Sequence, residues 1–289
     1  MFIKTPEILK WEEFYKINIV EANSYNYSLN KNELRNFGYN QYFINDLKGV
    51  VLTPSSINDD ATVNKQLLLK YNPDLVYTNP GKGGAFGDSL GWISFICRLS
   101  EASGKKIKLV RLPGTCENIK KNILSTTGEH EIVKTNKIFY LPGGTKGGYR
   151  EVYSKLYLPS KVPWAATKEK IAGYQFGKRG MGDRRVQDPK DEMRMVKALA
   201  AKGYQIKEIG GALGDEGCMK AAAECQFFVG TCSGMSHLCH SVGTPVHMIT
   251  NLRSLERVSA GHVKNTRSEY PTIFWQHPNH FIEYVEKNL

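Results

Sequence analysis

Short apolar runs alternate with amphipathic segments along most of the chain, and this alternation predicts an α/β protein. In the first half, an apolar run at 75–77 precedes a glycine-rich segment, a helix predicted from Ser89 to about 102, and a second apolar run at 106–111. Two short strands joined by a crossover helix form a βαβ unit with parallel strands. A further strand at 137–141 would extend the same sheet.

The second half repeats the pattern. Asp188 followed by Pro189 predicts a helix start, because Asp caps free N–H groups and Pro is favoured at the first helical position. The buried face of this helix is expected to carry Met193, Val196 and Leu199. Strands are predicted at 171–176, 204–209, 227–229 and 244–249, with a loop over 210–217 and a short helix ending at 224. A second, mostly parallel sheet with helices on both faces is therefore expected.

The length predicts two domains, since 289 residues at roughly 150 per domain give about two. The segment 157–167 contains Pro159 and Pro163 and is typical of a linker. We therefore predict one Rossmann-like domain over 1–165 and a second over 166–289. The first 70 residues, rich in Asn, Tyr and Lys, resist assignment.

Composition excludes several classes of protein. Hydrophobic residues at 41% and charged residues at 23% are typical of globular chains. The longest apolar run, 90–97, is shorter than the roughly 20 residues that cross a bilayer. No apolar stretch follows the charged N-terminus, so we expect a cytoplasmic protein, in the host cytoplasm if it is viral. The six cysteines contain no Cys-x-x-Cys pair and are expected to be reduced thiols.

Net charge points to an anionic partner. The chain carries 39 Lys and Arg against 28 Asp and Glu, which leaves +11. A positive field raises the local concentration of polyanions but does not distinguish nucleic acid from a nucleotide or a phosphorylated lipid surface. A solvated basic surface without a partner is the alternative.

The turn after the predicted strand at 227–229 is the densest candidate for chemistry. Small residues lead into a helix that starts near Ser233, and the first N–H groups of such a helix can hold a phosphate. The residues predicted to surround the phosphate are Thr231, Ser233, Gly234, Met235, Ser236 and His237. Two alternatives remain open, since small residues also permit tight helix packing and His237 can simply pack.

This stretch resembles the signature of the heptosyltransferase-like glycosyltransferases of family 9. The matching residues are Gly230, Ser233, Gly234, His237, Gly243, Thr244 and Pro245. The acidic residue of the family turn is Cys232 here, so the contact made by that carboxylate is lost or supplied elsewhere. Gly87 and Asp88 correspond to the Gly-Asp pair of the family's N-terminal turn.

The resemblance implies a GT-B architecture of two Rossmann-like domains, with the donor in the second domain, the acceptor on the first, and the reaction in the cleft. It also implies inversion at the anomeric carbon and a nucleoside diphosphate sugar as donor, without a further cofactor. Asp88 becomes the candidate base that takes the acceptor proton. Alternatively, Asp88 only caps the helix predicted at Ser89.

Further residues are assigned to the donor. The loop after the strand at 171–176 carries Lys178, Arg179, Arg184 and Arg185, which could clamp a diphosphate. Asp215 and Glu216 could accept hydrogen bonds from the ribose or base. No Asp-x-Asp follows a predicted strand, and Asp59 and Asp60 lie in a polar segment, so no metal is expected; the cations of the protein could replace it.

The acceptor is predicted from charge and aromatic content. Tyr and Phe residues interleaved with basic ones are typical of surfaces that bind extruded or single-stranded bases. In this chain they are Tyr25, Tyr27, Lys31, Arg35, Tyr39, Tyr42 and Phe43. A hydroxymethylated base of bacteriophage DNA is the favoured acceptor, and the core of lipopolysaccharide is the alternative. A non-catalytic nucleotide- or nucleic-acid-binding α/β protein remains the alternative of another class.

Overall fold

The computed structural model describes residues 2–21, 39–54, 60–78, 85–137, 139–140, 157–165, 168–176, 188–250 and 271–289. Its strands are β1 Ile19–Glu21, β2 Tyr39–Ile44, β3 Gly49–Pro54, β4 Val76–Thr78, β5 Ile107–Leu109, β6 His130–Ile132, β7 Phe139–Tyr140, β8 Ile171–Gln175, β9 Gln205–Glu208, β10 Phe227–Gly230, β11 Val246–Ile249 and β12 Thr272–Trp275. Its α helices are α1 Pro6–Tyr15, α2 Asp60–Lys70, α3 Phe86–Ser103, α4 Gly114–Asn122, α5 Pro189–Ala201, α6 Gly214–Glu224, α7 Gly234–Val242 and α8 Pro278–Asn288.

The strands form two sheets, as expected of an α/β protein. The four-stranded sheet has the order β6-β5-β4-β7 and is entirely parallel. In the eight-stranded sheet, β9-β8-β10-β11-β12 form a parallel block, and β3, β2 and β1 continue it antiparallel from β12. Numbered along the chain, the parallel block reads 2-1-3-4-5, the flavodoxin-like order of doubly wound folds.

The strand pairing links the two ends of the chain. The strands β1, β2 and β3 come from the first 54 residues but belong to the sheet of the C-terminal part. The apolar sequence of β3 favours this pairing, because Val50, Val51 and Leu52 are fully buried where β3 pairs with β12. The C-terminal sheet is thus completed by the segment that resisted assignment from sequence.

Two hydrophobic cores hold these layers. One contains Leu90 and Ile93 of α3 together with Phe228 of β10 and Leu238 of α7, so it joins the two sheets. The other lies on the opposite face of the larger sheet, under α1, α5 and α8. Because α3 is covered on all sides, every residue over 89–100 is buried, which explains the apolar run in its sequence.

Three local predictions need correction. The helix predicted from Ser89 begins at Phe86, and its N-cap is Ala85, so Asp88 is not the cap. The predicted loop over 210–217 contains a 3-10 turn and the start of α6 at Gly214. In α5, capped by Asp188 as predicted, Met195 and Leu199 are buried, whereas Met193 is 53% exposed because it lies on the outer face.

All six cysteines have free thiols, in agreement with the sequence prediction. Five of them are buried, and burial raises the pKa of Cys97, Cys116 and Cys218 to about 11 and that of Cys225 to about 12. In the part of the chain that the structure describes, no helix is long and apolar enough to cross a membrane.

Candidate functional site

Both sheets change winding direction at a defined place, where doubly wound folds bind their ligands at the carboxyl ends of the strands. In the larger sheet this place lies between β8 and β10. Gly230 ends β10 so close to β8 that a Cβ atom there would lie 2.1 Å from the backbone oxygen of Gln175. In the smaller sheet the corresponding place lies between β4 and β7.

The helix α7 follows β10 and begins with a capping box. The Ser233 hydroxyl accepts from the N–H of Ser236 at 3.5 Å, and the Ser236 hydroxyl accepts from the N–H of Ser233 at 3.0 Å. Within the described residues, the N–H groups of Gly234 and Met235 have no acceptor. They are the donors that a helix N-terminus offers to an anion.

The helix α3 begins in the smaller sheet's half of the molecule and lacks a side-chain cap. Its N-cap is Ala85, which has no hydrogen-bonding side chain, and the first backbone bond runs from the N–H of Ser89 to the Ala85 oxygen at 3.0 Å. The N–H groups of Phe86 and Gly87 precede that bond. This helix start therefore also presents positive charge from its dipole.

The two helix starts touch each other. A Cβ atom on Gly234 would lie 3.0 Å from Cβ of Phe86 and 3.3 Å from the backbone nitrogen of Gly87. Conversely, a Cβ atom on Gly87 would lie 2.5 Å from Cδ2 of His237. The absence of side chains at these two glycines allows the two positive helix ends to converge between the sheets.

His237 lies at this junction and is half-buried. Its Nδ1 shares a hydrogen bond with the hydroxyl of Tyr157, and the two rings meet edge to face with centroids 5.5 Å apart. Tyr157 is a residue that sequence reasoning missed, since the two residues lie 80 positions apart along the chain.

Asp88 is the third residue of α3 and is exposed. An acidic residue in the first turn is favoured by the helix dipole. The residue therefore lies next to Gly87, at the junction of the two helix starts, with its carboxylate accessible.

The other predicted phosphate-binding residues have structural partners. Ser236 is fully buried, and its hydroxyl donates to the Ser233 oxygen at 2.7 Å. Thr231 is 4% exposed, and its N–H donates to Gln175 at 3.3 Å. Met235 packs against the core between the sheets. The backbone of this turn is thus better placed to meet an anion than its hydroxyls.

The predicted ribose ligands lie in the first turn of α6. Asp215 accepts a hydrogen bond from Asn118 of α4. Glu216 pairs with Lys220 at 2.9 Å, and that hydrogen bond together with the charge of Lys220 lowers the pKa of the Glu216 carboxyl. The predicted clamp residues Lys178, Arg179, Arg184 and Arg185 lie outside the described residues.

The aromatic segment assigned to the acceptor is only partly described. Phe43 is 1% exposed within the core, so it is unavailable for stacking on a base. Tyr42 is half-buried and its ring lies 5.9 Å from that of Phe2. Tyr39 belongs to β2, while Tyr25, Tyr27, Lys31 and Arg35 lie outside the described residues. At Phe43 the aromatic content serves packing.

Among the residues that the structure describes, no group of three or more His, Cys, Asp or Glu side chains could hold a metal ion. Asp60 begins α2, and Asp59 lies outside the described residues.

No protein-family model and no curated protein matches the sequence. Among solved structures, the chain is similar to the iron-containing dodecameric glycosyltransferase TibC of enterotoxigenic E. coli H10407, with 14% identity, a TM-score of 0.45 and coverage of 61% of this chain and 58% of TibC. A second TibC structure, a heptosyltransferase in complex with ADP-D-beta-D-heptose, gives 13% identity, a TM-score of 0.44 and coverage of 70% and 64%. The chain thus spans less than two thirds of TibC.

The chain is also similar to the E. coli heptosyltransferase WaaC with ADP, at 12% identity and a TM-score of 0.43, covering 74% of this chain and 99% of WaaC. All these likenesses are distant, with TM-scores below 0.5.

Proposed function

We propose that this protein is a glycosyltransferase that binds a nucleoside diphosphate sugar between its two sheets. The observation that carries the proposal is the contact between the starts of α3 and α7, made possible by Gly87 and Gly234. Both helices start on the side where doubly wound sheets bind ligands. Of the motif residues that resemble family 9 glycosyltransferases, Gly234 and His237 lie at this junction and Ser233 caps α7 beside it.

The departing diphosphate needs positive charge that is already in place. The N–H groups of Gly234 and Met235 and the two helix dipoles provide it here. We assign Lys178, Arg179 and Arg184 as the cationic clamp from sequence, and His237 as a further donor. Thr231, Ser233 and Ser236 shape the turn, and Asp215 and Glu216 remain the proposed ribose or base contacts.

We assign the general base to Asp88. Its carboxylate would take the proton from the acceptor hydroxyl while the acceptor oxygen bonds to the anomeric carbon. The bond from that carbon to the diphosphate oxygen breaks, and the electron pair leaves with the nucleoside diphosphate. Attack from the side opposite the leaving group inverts the anomeric centre, and the protein's own cations would make a metal ion unnecessary.

A panel of nucleotides tests the donor site. UDP, ADP, GDP, CDP and NAD are added with and without magnesium while the melting temperature is recorded. A ligand that binds only the folded protein raises this temperature as its concentration passes its Kd. We expect one nucleoside diphosphate to raise it, regardless of magnesium. If none does while DNA does, the transferase proposal fails and the non-catalytic binding protein replaces it.

Asp88→Asn separates an enzyme from a nucleotide-binding protein. Loss of a general base should lower turnover by about 10²–10⁴-fold and leave nucleotide affinity within about twofold. Asp191→Asn is the matched control, because Asp191 also lies in a first helical turn, that of α5, and pairs with Arg194 at 3.0 Å. Equal turnover in both variants would remove Asp88 from the mechanism.

For the acceptor we propose an anionic polymer, with hydroxymethylated phage DNA ahead of lipopolysaccharide core. The net charge of +11 supports an anion but fits both. Transfer of labelled sugar is measured onto DNA containing hydroxymethylcytosine, onto unmodified DNA and onto lipopolysaccharide core. Label on hydroxymethylated DNA alone supports the first acceptor, and label on the core alone replaces it with the second.

A further inference from the structure

The predicted linker segment is tied to both halves of the molecule. We call residues 157–165 the strap. The backbone N–H of Ser160 donates to the backbone oxygen of Ser241 at 3.0 Å, and the backbone N–H of Trp164 donates to the backbone oxygen of Val242 at 2.9 Å. Both acceptors are on α7. The Lys161 N–H donates to the Ile123 oxygen, at the end of α4, at 2.7 Å. The strap is thus held by backbone hydrogen bonds to the end of α7 and to the end of α4.

The first two residues of the strap bridge α3 and α7 inside the interface. On the α3 side, the Arg98 guanidinium donates to the backbone oxygen of Tyr157 at 3.4 Å, and the Leu158 N–H donates to the Ser94 hydroxyl at 3.2 Å. On the α7 side, the Ser241 hydroxyl donates to the Leu158 oxygen. Ser94 and Ser241 are buried, so these polar contacts fix the position of the strap within an otherwise apolar core.

This arrangement holds the Tyr157 side chain in one place. Tyr157 is 1% exposed, and its hydroxyl reaches Nδ1 of His237. The opposite edge of that imidazole lies against the start of α3, since a Cβ atom on Gly87 would be 2.5 Å from Cδ2 and 3.3 Å from Nε2. The ring therefore spans the junction, with one nitrogen on the strap and the other beside Gly87.

We propose that Tyr157 is a positioning residue that donates its hydroxyl proton to Nδ1 of His237 and so keeps the imidazole proton on Nε2, where it can be donated to a bound anion. A neutral imidazole has one donor and one acceptor nitrogen, and the hydrogen bond at one nitrogen decides the role of the other. Donation from Nε2 to a bound diphosphate rests on the proposed function. The control of the His237 tautomer by Tyr157 does not.

The test uses Tyr157→Phe, which keeps the ring and removes only the hydroxyl. Tyr284→Phe is the matched control, because Tyr284 is also a buried tyrosine and donates to the Tyr15 oxygen at 2.8 Å, away from the junction. Nitrogen-15 spectra of the histidine rings, with His237→Gln to assign the His237 signals, report the protonated nitrogen. Nucleoside diphosphate affinity and melting temperature are measured on the same samples.

We expect wild-type His237 to show a single tautomer with the proton on Nε2, and Tyr157→Phe to show a mixture. Affinity for the nucleoside diphosphate should fall about tenfold in Tyr157→Phe and stay unchanged in Tyr284→Phe. A proton on Nδ1 in the wild-type spectrum overturns the proposal even if Tyr157→Phe does not fold. Loss of stability equal to that of the control, with unchanged spectrum and affinity, reduces Tyr157 to a structural role.

The two proposals fail separately. If the wild-type protein binds none of the nucleoside diphosphates but its His237 ring holds the proton on Nε2, the control of the tautomer by Tyr157 is supported and the proposed function is overturned.

Discussion

Two histidines near opposite edges of the parallel strands of the larger sheet, His237 and His247, have opposite surroundings. Beyond the carboxyl edge, His237 is half-buried at the meeting point of two helix starts, beside glycines. Near the amino end of β11, His247 is fully buried among aromatic rings, with Tyr15 at 5.3 Å and Phe227 at 5.1 Å between centroids.

Both rings are held by an aromatic partner at Nδ1. Tyr157 contacts His237, and the Trp275 Nε1–H donates to His247 at 3.0 Å. The difference lies in what the other nitrogen meets. The position of each histidine relative to the strands sets this contact. Helix starts and glycines lie beyond the carboxyl edge, whereas near the amino end His247 is enclosed by aromatic rings of α1, β10 and α8. The same residue type is thus a candidate ligand contact in one place and a packing residue in the other.

Alanine at each histidine should separate these two roles. His247→Ala leaves a cavity and deprives the Trp275 N–H of its acceptor, so we expect unfolding free energy to fall by about 3–5 kcal/mol with nucleotide affinity unchanged. His237→Ala should cost about 1 kcal/mol but weaken nucleoside diphosphate binding. Urea unfolding and calorimetric titration measure both quantities. A weaker nucleotide affinity in His247→Ala alone would reverse the assignment.

A methyl group at the carboxyl edge should disturb the strands themselves. Gly230→Ala places a Cβ atom 2.1 Å from the Gln175 backbone oxygen, so β8 and β10 must separate, and we expect a loss of about 1–3 kcal/mol. Gly211→Ala is the control, since no atom lies within 4 Å of its Cβ position and its effect should stay within about 0.5 kcal/mol. Equal urea midpoints for the two variants would contradict the close approach.

Acid should destabilise the protein through its buried histidines. Burial lowers the pKa of His240 and of His247 from 6.5 to about 3. Between these pH values the unfolded chain binds more protons than the folded protein, so stability is full above pH 6.5 and falls as the pH drops toward 3. Each histidine contributes a slope of up to about 1.4 kcal/mol per pH unit.

The comparison of wild-type protein with His247→Phe isolates one of these slopes. The variant keeps an aromatic ring at the site but has no group to titrate, so its urea midpoint should fall less steeply between pH 7 and pH 5. Parallel profiles for the two proteins would show that His247 does not remain neutral in the fold.

The smallest expected effect is on the labelling rate of a cysteine at the carboxyl edge of the larger sheet. Cys232 lies in the turn before α7 and is the half-buried one, whereas the other five thiols are buried. In native protein we expect N-ethylmaleimide to modify Cys232 first, and a bound nucleoside diphosphate to slow that reaction by severalfold. Mass spectrometry of peptides identifies the labelled thiol. Labelling of Cys232 at the same rate with and without nucleotide would place the ligand elsewhere.

Local patterns predicted most of the parallel strands and several helix starts. The Asp188-Pro189 start was predicted from side-chain chemistry and the helix start near Ser233 from the small residues before it, and both helix starts are confirmed. The strands β1 to β3 escaped prediction because their polar, Asn-rich surroundings carry no clear period. The pairing of β3 with β12 joins residues near 50 with residues near 273 and leaves no local signal.

The candidate site could be predicted only in part for the same reason. The small residues at 230–234 mark the turn, but only the fold brings Gly87 against His237. The role of Ser236 within the capping box depends on the geometry of the helix start, and the contact of Tyr157 with His237 depends on the path of the strap. Residue types indicated where an anion could bind, while the donors that face it required the packed structure.

The central claim is that the junction of α3 and α7 holds a nucleoside diphosphate. The most direct measurement is a crystal structure of the protein with the nucleoside diphosphate that raises its melting temperature. We expect phosphate oxygens within about 3 Å of the backbone nitrogens of Gly234 and Met235. A nucleotide bound anywhere else, with these two N–H groups facing solvent, would contradict the account.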